Sequence, residues 1–124
     1  MKKEICYKDL TYKIIGSAME VHKVLGCGFL ESVYESAFCV ELEKSNIPFQ
    51  NQVEYPVIYK NVNVKSFICD LIIDRKVVVE LKSKKKVTEI ERAQILNYLK
   101  VTGLKVGLLI NFGRNSLEYE RFVL

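Results

Sequence analysis

Residues 69–86 read CDLIIDRKVVVELKSKKK, and Asp70, Glu80 and Lys82 stand out in it because their surroundings are so apolar. A lone buried charge costs several kcal/mol and usually neutralises itself instead. The three groups are therefore either solvated at strand ends, as a surface ion pair, or placed for chemistry. Two converging carboxylates repel, which raises one pKa unless a cation lies between them. Two carboxylate oxygens, a main-chain carbonyl and waters suit Mg²⁺ or Mn²⁺, hard cations with octahedral oxygen coordination. Such a cation polarises a phosphoryl oxygen and lowers the pKa of water, while a nearby lysine positions that water or offsets the charge that builds at phosphorus. The chemistry that fits is phosphodiester hydrolysis.

Whether the three groups meet depends on register. Val77, Val78 and Val79 are continuous rather than alternating, the pattern of a central strand covered on both faces. Glu80 and Lys82, two apart, project from one face of it. Asp70 lies on the preceding strand. A two-residue loop at Asp74-Arg75 would set Asp70 opposite Val79 and away from Glu80. A three-residue loop, 74–76, or a bulge would pair Asp70 with Glu80.

The elements that must hold these residues follow from periodicity. Asp9 reads as the N-cap of a helix carrying Leu10, Ile14, Ala18, Val21 and Leu25, closed by Gly26. A second helix runs from Phe29 to about Lys44, with Leu30, Val33, Tyr34, Ala37 and Phe38 on one side and Glu31 and Glu35 on an adjoining strip. Strands are expected at Val53–Lys60, Val64–Ile73 and Lys76–Lys82, joined by short turns into an antiparallel meander. Thr88 and Glu91 form a capping-box pair opening a third helix that stops at Gly103. Strands at Lys105–Asn111 and Leu117–Phe122 complete the order ααβββαββ. That order specifies a mixed α+β (α/β) layer fold, a central mixed sheet flanked by helices.

At 124 residues the chain is read as one domain, 1–124. The composition, 49% hydrophobic and 27% charged, is that of an ordinary soluble globule. MKKEICYKDL lacks the apolar stretch of a signal peptide, and no run approaches the roughly 18 apolar residues of a membrane span, so a cytoplasmic location is expected. Cys6, Cys27, Cys39 and Cys69 have no CxxC spacing and only His22 to join them, which excludes a zinc ribbon or finger and leaves reduced thiols. One histidine and no G-x-S-x-G leave an HNH-type or Ser-His-Asp enzyme poorly supplied. The net charge of +4 permits an anionic partner without requiring one.

Asp70, nine intervening residues and Glu80-Leu81-Lys82 resemble the D-(x)n-E-x-K core of the PD-(D/E)XK nuclease superfamily, whose restriction-endonuclease-like fold has the element order just read. Gly28-Phe29-Leu30-Glu31-Ser32-Val33-Tyr34 reads G-x-x-E-x-x-Y. With DLTYKIIGSAMEVHK before it and QILNYLK after the E-x-K strand, it is similar to the bacterial GxxExxY proteins, a largely uncharacterised group of that superfamily, over nearly the whole chain from Asp9. The resemblance implies Asp70 and Glu80 as metal carboxylates, Lys82 as the catalytic lysine, and Glu31 as an acid offered to the metal directly or through water. Gln94 and Tyr98 match the Q-x-x-x-Y pair of RecB-like nucleases, which lines the site and contacts substrate. Cys69 stands where the superfamily's name has proline.

Each of these residues also has a plainer role. Glu31 and Glu35 suit a helix N-terminus, where the dipole favours negative charge. Tyr34 is expected to pack, its hydroxyl bonded at the core edge. Gln94 and Tyr98 fit a polar stripe and a core aromatic, and His22 a helix face. Lys84, Lys85 and Lys86 form a solvated loop or a contact for a nucleic-acid backbone, DNA or RNA. Two functional classes follow: a Mg²⁺- or Mn²⁺-dependent nuclease, or a catalytically silent domain of the same fold that binds nucleic acid or protein. A chain this short leaves little beyond the core to grip a substrate, which points to a homodimer or a partner protein.

Overall fold

A computed structural model describes residues 6–124. The elements are α1 (Lys8–Leu25), α2 (Glu31–Lys44), β1 (Phe49–Tyr59), β2 (Val62–Ile73), β3 (Val77–Lys82), α3 (Glu89–Thr102), β4 (Val106–Asn111) and β5 (Glu118–Val123). The order ααβββαββ and the mixed α+β class are as the periodicity predicts. The five strands lie in sequence order across one sheet, with β3 parallel to β4 and every other pair antiparallel. A parallel pair needs a crossover, and α3 supplies it.

β3 is the centre. Val77, Val78 and Val79 are fully buried because the layers on both faces close over them. Val77, Val79 and Leu81 meet Ile14, Ala18, Tyr34, Phe38 and Leu42 of α1 and α2. Val78 meets Tyr98 and Leu99 of α3 on the opposite face. Among the described residues, no helix is long and apolar enough to cross a membrane, and all four cysteines are free thiols.

The differences from expectation lie at element ends. Tyr7, not Asp9, occupies the N-cap of α1, in a left-handed conformation (φ 55°); Asp9 lies inside the first turn, where the helix dipole favours it. α2 begins at Glu31 because Leu30 is extended (φ −67°, ψ 154°). β1 begins at Phe49, four residues early. Phe49, Gln50 and Asn51 pair with Ile73, Ile72 and Leu71, so strand partners override a polar stretch with low strand propensity. The capping box at Thr88 and Glu91 is formed as read.

Two turns set the registers. Lys60 and Asn61 (φ 46° and 67°) close β1 onto β2 between Tyr59 and Val62, a two-residue turn with both φ positive. The β2–β3 connection is three residues long, 74–76: Ile73 pairs with Val77, Ile72 with Val78 and Leu71 with Val79. One further step carries Asp70 across from Glu80. This is the odd loop count that the site demands.

One glycine ties the two loops at the ends of the parallel strands. A Cβ at Gly113, just past β4, would lie 2.2 Å from the Lys84 carbonyl oxygen and 2.3 Å from its nitrogen. Backbone cannot yield there without moving the segment that follows Lys82. Gly113→Ala is expected to lower stability by about 2 kcal/mol or more, read from denaturant unfolding against wild type; an unchanged midpoint would mean that the two loops do not touch.

Candidate active site

The pairing of β2 with β3 ends at Leu71 and Val79, and just beyond it the carboxylates take over the main-chain bonds. The Asp70 N–H donates to Glu80 Oε1 at 3.0 Å, and the Leu81 N–H donates to Asp70 Oδ2 at 2.9 Å. Each acid thus accepts from the partner strand's backbone, and the two strands part around them.

The sheet is also twisted here. Phe49, Leu71 and Ile73 face the α1/α2 layer, yet Val53, Tyr55, Phe67 and Cys69, at the same odd positions, face the α3 layer. Alternation slips between these two groups, where the β1–β2 pairing skips Gln52 (φ 52°) and Asp70. Gln52 Nε2 donates to Glu35 Oε1 on α2 at 2.7 Å.

Glu80 is 2% exposed. Its pKa is raised to about 9, first by burial and then by the Asp70 charge, with the Asp70 N–H and the Lys82 ammonium pulling the other way. At neutral pH Glu80 therefore holds a proton beside Asp70. Burial and the same two acids push the Cys69 thiol up to about 12. Tyr98 on α3 rises to about 12 through burial and the Glu80 charge, and its hydroxyl accepts from Gln94 Nε2 at 2.8 Å. Asp70, Glu80, Lys82 and Tyr98 therefore share one electrostatic neighbourhood, with Gln94 bonded to it.

The remaining predicted residues are placed around this group rather than in it. Glu31 is exposed at the first turn of α2, close enough to Lys84 to act on its pKa. Lys84 Nζ is bonded to Glu91 Oε1 at 2.6 Å, which raises the lysine's pKa and, with Thr88, holds Glu91 well below the usual carboxylate range. The Lys85 carbonyl accepts from Arg114 Nη1 at 3.2 Å. Lys86 lines a cavity of about 560 Å³ with Arg92, Arg114 and Tyr119.

Tyr34 explains half of the G-x-x-E-x-x-Y stretch. Fully buried, it stacks on Phe112 with ring centroids 4.5 Å apart, donates through its hydroxyl to the Gly26 carbonyl at 2.5 Å and accepts from the Phe29 N–H at 3.3 Å. Ser83 Oγ then donates to the Phe29 carbonyl at 2.8 Å. The tyrosine thus anchors the loop that delivers Glu31, and that loop is tied to the segment leaving Lys82.

Asn111 went unnoticed in the sequence. It is the strand partner of Lys82 and only 1% exposed. Its Oδ1 accepts from the Lys84 and Gly113 N–H groups at 2.9 and 3.1 Å, and its Nδ2 donates to the Lys84 carbonyl at 2.8 Å. A lone asparagine at a strand end carries no sequence signal; its role exists only once β3 and β4 lie in register.

With this geometry established, comparison with known proteins adds the lineage. The family model described as PD-(D/E)XK nuclease superfamily matches residues 8–122. The chain belongs to the PD-(D/E)XK nuclease superfamily. A crystal structure of the protein SSO0001 is similar in fold, with a TM-score of 0.58 at 18% identity over 94% of this chain. The matched region spans 59% of that longer protein. No curated protein matches.

Within the superfamily, the test for a metal is the donor set. Among the described residues, no three His, Cys, Asp or Glu side chains cluster as a ready-made cage. Two hard carboxylates nonetheless stand together, Glu80 buried and Asp70 half-buried, each with one oxygen on a backbone N–H, and at neutral pH Glu80 retains a proton that a divalent cation can replace. The donors fit a cation that keeps several waters.

The raised pKa of Glu80 has a stability consequence. A carboxyl at 4.5 when unfolded and about 9 when folded supports the metal-free fold fully below 4.5, and that support is lost as pH rises through 9. Glu80→Gln, which keeps an oxygen for the Asp70 N–H, is expected to stabilise the metal-free protein, by on the order of 3 kcal/mol at pH 7 relative to its effect at pH 4. Denaturant unfolding with chelator at both pH values reads this difference; a pH-independent effect would count against a protonated, buried Glu80.

Proposed function

We propose that this chain is a divalent-metal-dependent nuclease that hydrolyses phosphodiester bonds in DNA or RNA, and that within its superfamily it is one of the GxxExxY proteins. The observation that carries this reading is the Asp70–Glu80 pair, with Glu80 buried, at the parting of β2 and β3 with Lys82 two residues on, in a chain matched to the superfamily from residue 8 to 122. A module that only held nucleic acid would gain nothing from two acids that repel a phosphate.

Asp70 and Glu80 would hold Mg²⁺ or Mn²⁺, which supplies Lewis-acid polarisation of the phosphoryl oxygen when bound. Lys82 would place its ammonium where the attacking water and the charge developing on phosphorus both lie, an electrostatic role that low local dielectric strengthens. Water attacks phosphorus, the bond to the leaving sugar oxygen breaks, and that oxygen takes up a proton. Gln94 would orient the Tyr98 hydroxyl toward the scissile phosphate or a base. Glu31 would assist from the start of α2. Lys85 and Lys86 would meet the phosphate backbone, with Lys84 held back by Glu91 and acting mainly to keep their loop in place.

A cleavage assay on single- and double-stranded DNA and RNA, with Mg²⁺ or Mn²⁺, tests the reading. Asp70→Asn, Glu80→Ala and Lys82→Ala are each expected to lower the rate about a hundredfold or more, with circular dichroism unchanged, and chelator is expected to abolish it. Equal rates in wild type and the three variants would assign the activity to a contaminant and end the nuclease reading.

A further inference from the structure

The segments that follow β3 and β4 leave the sheet side by side. Lys82 and Asn111 are partners across the parallel pair, the Phe112 N–H donates to the Lys82 carbonyl at 2.8 Å, and Gly113 packs directly on the Lys84 backbone. The next residue of each segment is a cation, Lys85 on one and Arg114 on the other. Arg114 Nη1 donates to the Lys85 carbonyl at 3.2 Å. The Arg114 carbonyl is itself fixed by His22 of α1, whose Nε2 donates to it at 2.8 Å. Arg114, Lys85 and Lys86 are thus gathered on one rim although they come from separate loops, and all three are exposed. Two concavities meet at Arg114. One of about 560 Å³ is lined by Lys86, Arg92 and Arg114, the other of about 570 Å³ by Lys85, Arg114, Asn115 and Ser116, and Glu118 borders both.

We infer that the loop 113–116 is a second phosphate contact, in which Arg114 grips the nucleic-acid backbone beyond Lys85 and Lys86, so that a strand leaving Asp70, Glu80 and Lys82 crosses both loops. The pairing of the charges selects Arg114 for this role. Arg92 is neutralised, its Nε 2.7 Å from Glu120 and its Nη1 2.5 Å from Glu89, and Lys84 is held by Glu91. Among the described residues, Lys85 and Lys86 have no ion-pair partner, and Arg114 has only Glu118. That acid stands 3.9 Å from Arg114 Nε, with both side chains about half exposed, a surface pair that contributes little. The same carboxylate is tied down by Asn111 Nδ2, which donates to its Oε1 at 3.2 Å. With one N–H on the Lys85 carbonyl, the guanidinium keeps most of its five donors for a ligand, and its planar fork matches two phosphate oxygens. Asn115 and Ser116 add the neutral donors that backbone contacts use alongside arginine and lysine. The inference takes its ligand, nucleic acid, from the proposed function and needs no cleavage by Asp70 and Glu80.

Binding of labelled single- and double-stranded DNA and RNA fragments in chelator, followed by fluorescence anisotropy across a salt series, tests the contact without cleavage. Arg114→Ala is expected to weaken binding to all sequences alike and to lower the slope of log affinity against log salt by about 1. Arg114→Lys, which keeps the charge but not the fork, is expected to retain the slope. Lys44→Ala, at the far end of α2 from Glu31, removes the same charge from an exposed position and is expected to leave the slope unchanged. An Arg114→Ala slope equal to wild type would overturn the inference, as would an equal loss in Lys44→Ala. An Arg114→Lys loss as large as that of alanine would reduce Arg114 to a tie for the Lys85 carbonyl and overturn it too, and so would a wild-type chain that binds none of the fragments. A wild-type chain that binds with the expected slope changes but cleaves nothing with Mg²⁺ or Mn²⁺ would end the nuclease reading and leave this contact established.

Discussion

The reciprocal bonds between Asp70 and β3, and between Glu80 and β2, are the constraint on which the candidate site depends. An antiparallel ladder would ordinarily continue past Leu71 and Val79. Here two side-chain carboxylates accept the N–H groups of the facing strand instead. The backbone stays satisfied while the strands part, and the acids are held beside each other with the Lys82 ammonium acting on Glu80. Burial first, and then the repulsion between them, appears in the raised pKa of Glu80. The valine core beneath makes the arrangement tolerable, since Val77 to Val79 are clamped from both faces and cannot move to relieve it.

Around that pair, the loops at the carboxyl ends of the parallel strands are tied to one another. Tyr34 anchors the loop before α2, Ser83 joins that loop to the segment leaving β3, and Asn111 bonds both sides of the Lys84 peptide unit. Gly113 allows the last of these contacts because a side chain there would collide with Lys84. Beside the two parted strands, hydrogen bonds from α2, from β4 and from the segment leaving β3 thus join the neighbouring loops. The Lys84–Glu91 pair has the same effect on the lysine-rich loop, drawing it onto the start of α3.

Much of this was legible in advance. The continuous valines announced a central strand, the capping box announced α3, and the acid-x-lysine spacing on one strand face required no fold at all. Asp70 could be joined to Glu80 only conditionally, because the composition of Asp74-Arg75-Lys76 does not say whether two or three of those residues form the turn. Asn111 and the slip at Gln52 were invisible for a related reason: each acts through a partner distant in sequence. The lysine run looked uniformly free, and the pairing of Lys84 with Glu91 emerged only when α3 packed beside it.

Local chemistry alone, then, settles the element order and the buried strand and singles out the acids and lysine that are candidates to meet at a cation, because side-chain periodicity and capping act over a few residues. Tertiary structure decides the rest: that the 74–76 turn is three residues long, that Asp70 crosses to the face of Glu80, and that Asn111 holds the loop beyond Lys82. Those outcomes depend on which backbone groups from separate strands find one another, and that is a property of the assembled sheet, absent from any single segment.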